Sequence, residues 1–484
     1  MTKSLKQQVV SGVIWDAFQK FGTMAITFVS NIILARLLMP EDFGALGLIM
    51  VFIAISNAFV DSGFTDALIQ KGNPTDEDYS SVFYFNLVIS LLFYSLIFIS
   101  SPYFSRFFHA PLLTNTLRVT GTILIFNAIS IIQLTQLRVK LQFKKRSQYN
   151  IIATLIGTAL GIILAFYDYG VWSLVYRTLA TSLILCIIVW TRSKWIPILH
   201  FSFQRVKALF NFGGFMFLST LIEYVYSNLQ PILIGKFFTI GQLGYFTQAR
   251  KLEEIPSNTL TGIISSVTFP VYSKIKDDNE KLKRGAKSSL KTLSFLAIPL
   301  MTWMILLSHP LVILLFGEKW EGSYKFLQIL CIAGIFRIPS GINMNVIAST
   351  GRSKSFMFIQ LMKRIFGIIV IIWGAQYGIL GLMWGFALSS FIFFVIDSIA
   401  CGKYVKYGTM DQLIDMLPNT LVTITASVLV LCFNKFLYVE DPFMLIVFDT
   451  FVYISVLSII SYLFKIEALN TIIKLLQEKL IAKI

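Results

Sequence analysis

The chain has 484 residues, of which 56% are hydrophobic and 14% are charged, and its mean hydropathy is +0.74. A water-soluble protein could not divide so much apolar surface between one core and a hydrated exterior, so the composition indicates a polytopic membrane protein. The net charge of +16 does not indicate a nucleic-acid partner, because the basic residues lie between apolar segments, where they set topology.

Apolar stretches of about 20 residues, the length of one helical bilayer crossing, recur along the chain. They predict an all-α membrane protein with fourteen transmembrane helices, at about 12–35, 43–65, 81–103, 116–137, 148–167, 171–191, 209–235, 244–272, 288–310, 324–349, 355–375, 379–400, 415–437 and 443–464. Residues 465–484 place lysines opposite an apolar face, which predicts a C-terminal amphipathic helix on the cytoplasmic membrane surface.

Lysine and arginine collect in the loops on one side of these helices, as in residues 138–146, 192–207 and 274–291. By the positive-inside rule this side is cytoplasmic, and both termini are expected there. The loops on the other side are short, so they leave no room for an extramembrane catalytic domain.

A sequence motif occurs twice. LARLLMPEDFGAL at 34–46 aligns with IGKFFTIGQLGYF at 234–246, and YGVWSLV at 169–175 aligns with YGILGLM at 377–383. The matched motifs join corresponding helices six positions apart, which predicts two pseudo-symmetric six-helix lobes around a central cleft. The alternative is that short glycine-aromatic motifs recur by chance.

The repeat predicts the domain organisation. The first lobe holds helices one to six, the second holds helices seven to twelve, and a helix pair and the amphipathic helix follow. The corresponding ranges are 1–208, 209–402, 403–464 and 465–484.

Helix eight is unusual because its polar residues recur at steps of three and four, which places them on one face. Charge facing lipid costs roughly 2.5–3.5 kcal/mol per residue, so this face is expected to line a water-filled cavity. The alternative is a helix that lies on the membrane surface. Pro256 and Pro270 are expected to kink the helix and supply a hinge. The polar residues are Arg250, Glu254, Ser257, Thr261, Ser265, Thr268 and Tyr272.

Helices one, two and seven also carry polar residues, and the first two helices of each lobe are the natural ones to face the cleft. The candidates for polar contacts and ion coupling in the cleft are Asp16, Asp61, Glu223, Glu253, Glu254, Thr27, Ser257 and Thr261. The acids among them could equally be salt-bridge partners, and Arg250 and Glu254 have the i,i+4 spacing of such a pair.

Cations inside the predicted helices favour an anionic ligand over a cationic drug, in particular a diphosphate whose lipid tail stays in the bilayer. The candidate diphosphate ligands are Arg250, Lys20, Lys251, Arg337 and Arg364. Lys363 is interpreted more simply as a side chain that snorkels near a helix end.

Catalytic and cofactor motifs are absent from the sequence. It has no P-loop, no metal-ligand spacing and no Ser-His-Asp arrangement, so neither an enzyme nor a cofactor or metal site is predicted. Any work must therefore come from a Na⁺ or H⁺ gradient, the membrane potential or a substrate gradient.

Two motifs, LARLLMPEDFGALGLI and QARKLEEIPSNTLTGIISSVTFPVYSKI, together with the six-plus-six-plus-two pattern, are similar to known sequences. They resemble the polysaccharide-transport branch of the multidrug/oligosaccharidyl-lipid/polysaccharide exporter superfamily, especially Wzx-type flippases of the colanic-acid-exporter-like group. The resemblance covers nearly the whole chain.

The resemblance implies a flippase in the bacterial inner membrane. It would translocate an undecaprenyl-diphosphate-linked oligosaccharide, such as an O-antigen, capsule or exopolysaccharide repeat unit, by alternating access. In related lipid II flippases a helix-eight arginine lines the cationic cavity, and Arg250 matches it. The neighbouring Lys251 departs from the motif, and helix one carries Lys20 where those flippases commonly have arginine. Arg250 is expected in the outer half of the cleft and Lys20 in the inner half.

Two other functions are considered. A cation-coupled multidrug exporter would be expected to have an acidic cleft with few cations. A polysaccharide polymerase or ligase would need a large periplasmic loop with reactive side chains. The expected partners are the lipid-linked oligosaccharide, membrane lipids and polysaccharide polymerase machinery.

Overall fold

The computed structural model describes residues 5–61, 63–436 and 441–469, and all regular structure within them is helical. The chain divides into two compact units, residues 1–247 and 248–484. The predicted C-terminal amphipathic helix lies almost entirely outside the described residues.

The first unit contains ten helices within its described residues and the start of an eleventh. They are α1 (Leu5–Leu37), α2 (Pro40–Asp61), α3 (Phe64–Lys71), α4 (Asp76–Phe107), α5 (Leu113–Gly121), α6 (Ile123–Val139), α7 (Phe143–Phe166), α8 (Val171–Arg192), α9 (Phe203–Ser227), α10 (Leu229–Phe237) and α11 (Ile240–Lys274), which continues into the second unit.

The second unit holds the rest of α11 and seven further described helices, with one 3-10 turn at Glu318–Trp320. The helices are α12 (Asn279–Leu306), α13 (Ser308–Phe316), α14 (Ser323–Ser349), α15 (Ser353–Ala375), α16 (Gly378–Val405), α17 (Thr409–Phe436) and α18 (Pro442–Leu463).

Twelve described helical segments are long and apolar enough to cross a membrane. The two other predicted crossings correspond to α9 with α10 and to α11, which is 35 residues long. The structure is therefore compatible with fourteen crossings. Predicted helix seven is broken at Asn228, just before Pro231. Helix α12 begins before its predicted start because Asp278 caps it, accepting from the Lys281 N–H at 3.0 Å.

The same helix pairings recur in the two units. In the first unit α4 packs on α6, α6 on α8, and α7 on α8. In the second unit α12 packs on α14, α14 on α16, and α15 on α16. These are the pairs that the six-helix repeat relates to each other, so the repeat is a property of the fold as well as of the sequence.

The first motif occurs in two copies, and the glycine of each copy packs against the backbone of the other copy within the first unit. A Cβ atom on Gly44 would lie 1.9 Å from the carbonyl oxygen of Ile240, and one on Gly244 would lie 1.9 Å from that of Pro40. The two contacts are reciprocal, as in an isologous interface. Only glycine permits this approach of α2 to the start of α11.

The second motif also has one structural role in both copies. Gly170 directly precedes α8 with φ of +51°, and Gly378 begins α16 with φ of +82°. Both values lie in the region that favours glycine. The glycines therefore turn the chain into equivalent helices of the two units.

Helices α17 and α18 pack against each other, α17 packs on α12, and α18 packs on α13. The Trp303 indole donates to Thr450 Oγ1 at 3.0 Å, and the Tyr453 hydroxyl donates to the carbonyl of Pro299 at 3.0 Å. Helix α18 is thus joined to α12 by hydrogen bonds.

Candidate functional site

Helix α11 carries most of the candidate residues, and its start is fixed by a capping box. The Gln242 N–H donates to Thr239 Oγ1 and the Thr239 N–H donates to Gln242 Oε1, both at 3.1 Å. This arrangement satisfies two backbone donors that the helix cannot pair itself. Both Pro256 and Pro270 lie inside the one continuous helix, so their role as a hinge stays a prediction.

Arg250 and Glu254 form the ion pair that their spacing allows. Arg250 Nε lies 2.6 Å from Glu254 Oε1, and both side chains are about one-third exposed. The carboxylate neutralises the arginine and orients it.

Glu253 is buried one residue before Glu254 and is held by two side chains. Arg337 Nη2 on α14 lies 2.8 Å from each Glu253 oxygen, and Ser257 donates to the same carboxylate. Glu253 is 1% exposed, whereas Arg337 is 40% exposed. A Cβ on Gly334 would lie 2.8 Å from Glu253 Oε1, so this glycine makes room for the carboxylate on α14.

The polar face of α11 continues along α14 below this pair. Asn345 Nδ2 donates to Ser265 Oγ at 3.0 Å and to Thr268 Oγ1 at 3.2 Å. Thr261 lies opposite Gly341. Much of the polar face is therefore used to join two helices. Exposure to a water-filled cavity stays a prediction for Arg250, Glu254 and Thr261, whose side chains are only partly buried.

Helix α1 presents its candidates at the surface of the first unit. Asp16 Oδ1 lies 3.5 Å from Arg146 Nη1. Lys20 is exposed, and among the described residues no ion pair involves it. The Thr27 hydroxyl is also exposed and donates to the backbone carbonyl of Thr23 at 2.6 Å.

Asp61 lines a cavity of ≈ 320 Å³ within the first unit, between α2, α6, α8 and α9. Thr65 Oγ1 donates to Asp61 at 2.7 Å, and Asn127 Nδ2 donates to Asn57 Oδ1 at 3.1 Å. Carboxylate and amide oxygens thus surround a space that could admit a small cation. The candidate Glu223 lies on α9 and is exposed.

Lys363 is buried in the middle of α15, so its interpretation as a snorkelling side chain is wrong. Its Nζ lies 2.9 Å from Asp397 Oδ2 on α16, with the two side chains 8% and 0% exposed. Ser340 on α14 donates to the same oxygen. A buried lysine that pairs with Asp397 is less costly than a buried Asp397 charge that has no partner.

The remaining cations are less enclosed. Lys251 and Arg364 are half-buried, and both make interactions within the structure. Lys20 belongs to the first unit and the other diphosphate candidates to the second, so the predicted positions of Lys20 and Arg250 at two depths of a cleft stay predictions.

The sequence interpretation missed the Asp397 site and the partnership of Glu253 with Arg337. One signal was available, since Lys363 and Asp397 are opposite charges inside two consecutive apolar helices. No group of three His, Cys, Asp or Glu side chains is arranged as metal ligands in the described part of the chain.

Comparison with known protein families gives one match over more than half of the chain. The family described as "polysaccharide biosynthesis protein" matches residues 33–325. The teichuronic acid biosynthesis protein TuaB of Bacillus subtilis is 24% identical over 88% of this chain and 89% of its own. The lipopolysaccharide biosynthesis protein WzxC of Escherichia coli is 24% identical over 84% of each chain.

Solved structures share the fold. A lipid II flippase MurJ in an inward closed conformation superposes with a TM-score of 0.77 at 16% identity, covering 93% of this chain and 98% of its own. An inward-facing multidrug transporter of the MATE family gives a TM-score of 0.64 at 17% identity, covering 82% and 98%. The predicted all-α fold of a polytopic membrane protein is thereby confirmed. The chain belongs to the polysaccharide biosynthesis protein family, as its loop and helix-eight motifs predict.

Proposed function

We propose that this protein is a flippase that moves an undecaprenyl-diphosphate-linked oligosaccharide across the bacterial inner membrane by alternating access. Family membership and the relatives' names support the substrate class. They include a succinoglycan biosynthesis transport protein of Rhizobium meliloti. The observation that carries the proposal is the group of arginines on α11 and α14, Arg250 and Arg337, each held by a carboxylate on helices of membrane-spanning length. Fixed charge at such a place is expensive, and it commonly marks a substrate pathway.

In this proposal the diphosphate binds to the arginines of α11 and α14 and to further cations of the membrane helices. Arg250 and Arg337 are oriented by Glu254 and Glu253, and guanidinium groups bind phosphate oxygens through charge-assisted hydrogen bonds. Lys20, Lys251 and Arg364 supply further charge. Because the orienting carboxylates compete with the phosphates, binding is expected to be reversible, as a transport cycle requires.

The proposed orientation in the membrane is inferred from the positions of the basic loops. Both termini face the cytoplasm, the polymerase machinery takes the glycan on the other side, and the lobes comprise residues 1–208 and 209–402. The relatives that are named for an activity are transporters and flippases, which supports a non-enzymatic role.

The energy source is proposed to be an ion gradient that acts on buried carboxylates. At the Asp61 cavity and at the Asp397 site, a carboxylate within one unit lies near amide or hydroxyl oxygens. Each unit would then contain a candidate binding site for H⁺ or Na⁺.

Complementation of a flippase-null strain tests the site. Arg250→Ala and Lys20→Ala, expressed at the wild-type level, should each reduce surface polysaccharide severely. Lys283→Ala, in the basic first turns of α12, should restore it. Full restoration by both site variants would refute the assignment of the diphosphate site.

A second candidate is a cation-coupled multidrug exporter, which the similarity to the MATE transporter fold and the acidic Asp61 cavity favour. Expression in a strain without its own exporters should then raise resistance to cationic dyes. The flippase proposal expects no change in dye resistance.

A further inference from the structure

A second cationic site lies at one end of the helices of the first unit, apart from the residues assigned to transport. A cavity of ≈ 190 Å³ is formed where α6 ends at Val139, α7 begins at Phe143 and α8 ends at Arg192. The segment that follows α8 closes one wall with Trp195. By the positive-inside rule this basic end faces the cytoplasm.

Every charged residue that lines the cavity is basic. In the described part of the chain these four side chains form no ion pair with a carboxylate, whereas the neighbouring Arg138 and Arg146 pair with Asp66 and Asp16. Their charge is therefore left uncompensated and converges on the cavity, which focuses a positive potential there. The four residues are Lys140, Lys145, Arg192 and Lys194.

Neutral hydrogen-bond donors also line the cavity. Gln136 is buried against the cavity. Helix α7 starts beside it, and Gln142 at its N-cap position makes no side-chain capping bond. The first-turn N–H groups of α7 are thus available to an anion. The Trp195 indole N–H is shielded from solvent and has no acceptor among the described residues.

The walls of the cavity are held in place by the rest of the unit. The N–H groups of Ile198 and Ser202 donate to the hydroxyls of Ser80 and Ser81 on α4, at 3.0 and 3.1 Å. The Trp190 indole donates to a backbone carbonyl of α6 at 3.1 Å. The site is therefore preorganised, unlike a group of lysines on a free loop.

An apolar surface next to the cavity identifies the kind of ligand. Tyr149 lines the cavity and begins a row on one face of α7 that runs away from the basic end. Its members, all exposed, are Ile152, Ile156, Leu160 and Ile163. Leu199, after Trp195, is 99% exposed. A ligand that places an anionic group in the cavity can place an alkyl chain along this row.

We propose that this pocket binds the phosphate headgroup of a membrane lipid, with an acyl or prenyl chain along α7. Basic pockets between helices at the cytoplasmic surface are suited to such headgroups. The headgroup can come from an anionic phospholipid or from a polyprenyl diphosphate. The site shares no residue with the proposed transport site and does not depend on it.

The test is native mass spectrometry of the purified full-length protein, titrated with phosphatidylglycerol. Lys145→Gln/Lys194→Gln removes two exposed charges of the pocket. Since each lysine near a membrane surface contributes about 1 kcal/mol, we expect about 30-fold weaker binding of the first lipid. The control Lys274→Gln/Lys276→Gln removes the same charge elsewhere and should bind as the wild type does. Equal melting temperatures of the three proteins establish that they are folded.

The competitors identify the source of the headgroup. Displacement of phosphatidylglycerol by undecaprenyl diphosphate at lower concentration assigns the pocket to the carrier lipid, and failure to displace it assigns the pocket to bulk phospholipid. Displacement by inorganic phosphate at a similar concentration, unchanged binding in Lys145→Gln/Lys194→Gln, or equal binding of phosphatidylcholine would overturn the proposal.

Discussion

Glu253 and Asp397 are carboxylates that the fold buries, and each is contacted by one cation and one serine hydroxyl. Arg337 and Ser257 hold the first, and Lys363 and Ser340 hold the second. Buried ion pairs of this kind stabilise a fold little when compared with apolar residues, but a broken pair leaves a charge without compensation. Removing one partner of either pair is therefore expected to destabilise the fold.

The Lys363 pair can be tested by removing the lysine charge while keeping an unbranched side chain of similar length. Lys363→Met leaves Asp397 buried and unpaired, and the fold should lose about 3–5 kcal/mol of stability. Thermal unfolding of the purified protein in detergent measures the loss.

Two further variants make this test specific. Lys363→Met/Asp397→Leu removes both charges and should regain most of the stability, whereas Lys281→Met at an exposed pair should change little. If the double variant unfolds as readily as Lys363→Met, the unpaired charge is not the cause of the loss.

At the scale of elements, the polar face of α11 joins that helix to α14. Asn345→Leu keeps the branched shape and the number of side-chain heavy atoms but removes two hydrogen bonds to α11. At about 0.6 kcal/mol for each bond between membrane helices, the variant should lose about 1 kcal/mol. Asn258→Leu, at an exposed position of α11, is the control. Equal melting temperatures of the two variants would contradict this role of Asn345.

The reciprocal glycine contact makes a stricter prediction. A methyl group at Gly44 or Gly244 would overlap a backbone carbonyl at 1.9 Å, so Gly44→Ala and Gly244→Ala should each prevent accumulation of folded protein. Gly22→Ala on α1 meets only an ordinary contact at 3.7 Å and should be tolerated. Fluorescence-detected gel filtration of tagged proteins reports the yield. Normal yields of Gly44→Ala and Gly244→Ala would show that α2 and α11 do not approach as described.

At the scale of the whole molecule, the sequence predicts topology by its charge distribution. In a Cys432→Ser background, which removes the one exposed cysteine of the described residues, a cysteine replacing exposed Glu318 should react with an impermeant maleimide added to spheroplasts. A cysteine replacing exposed Lys276 should react only after lysis. The opposite result would invert the proposed orientation.

Apolar length predicted the membrane-spanning segments but not the breaks within them, such as the one at Asn228 between α9 and α10. The motif around Gly44 and Gly244 predicted the repeat that both units display. Periodicity also identified the polar face of α11, but it could not identify the helix that this face meets. Glu253 and Arg337 are distant in sequence, and nothing in either segment specifies the other as its partner. The basic pocket could not be predicted either, because the sequence does not show that its lysines converge and their positions were already explained as topology signals.

The central claim is that the protein moves a lipid-linked oligosaccharide and binds its diphosphate through Arg250. The most direct measurement is transfer of a fluorescent polyprenyl-diphosphate-linked oligosaccharide between the leaflets of proteoliposomes, detected by a membrane-impermeant quencher. Wild-type protein should make the inner-leaflet substrate accessible, Arg250→Ala should reduce the rate at least about 10-fold through the loss of one charge-assisted contact, and Lys283→Ala should not. Transfer at the rate of protein-free vesicles, or an equal rate for Arg250→Ala and wild type, would contradict the claim.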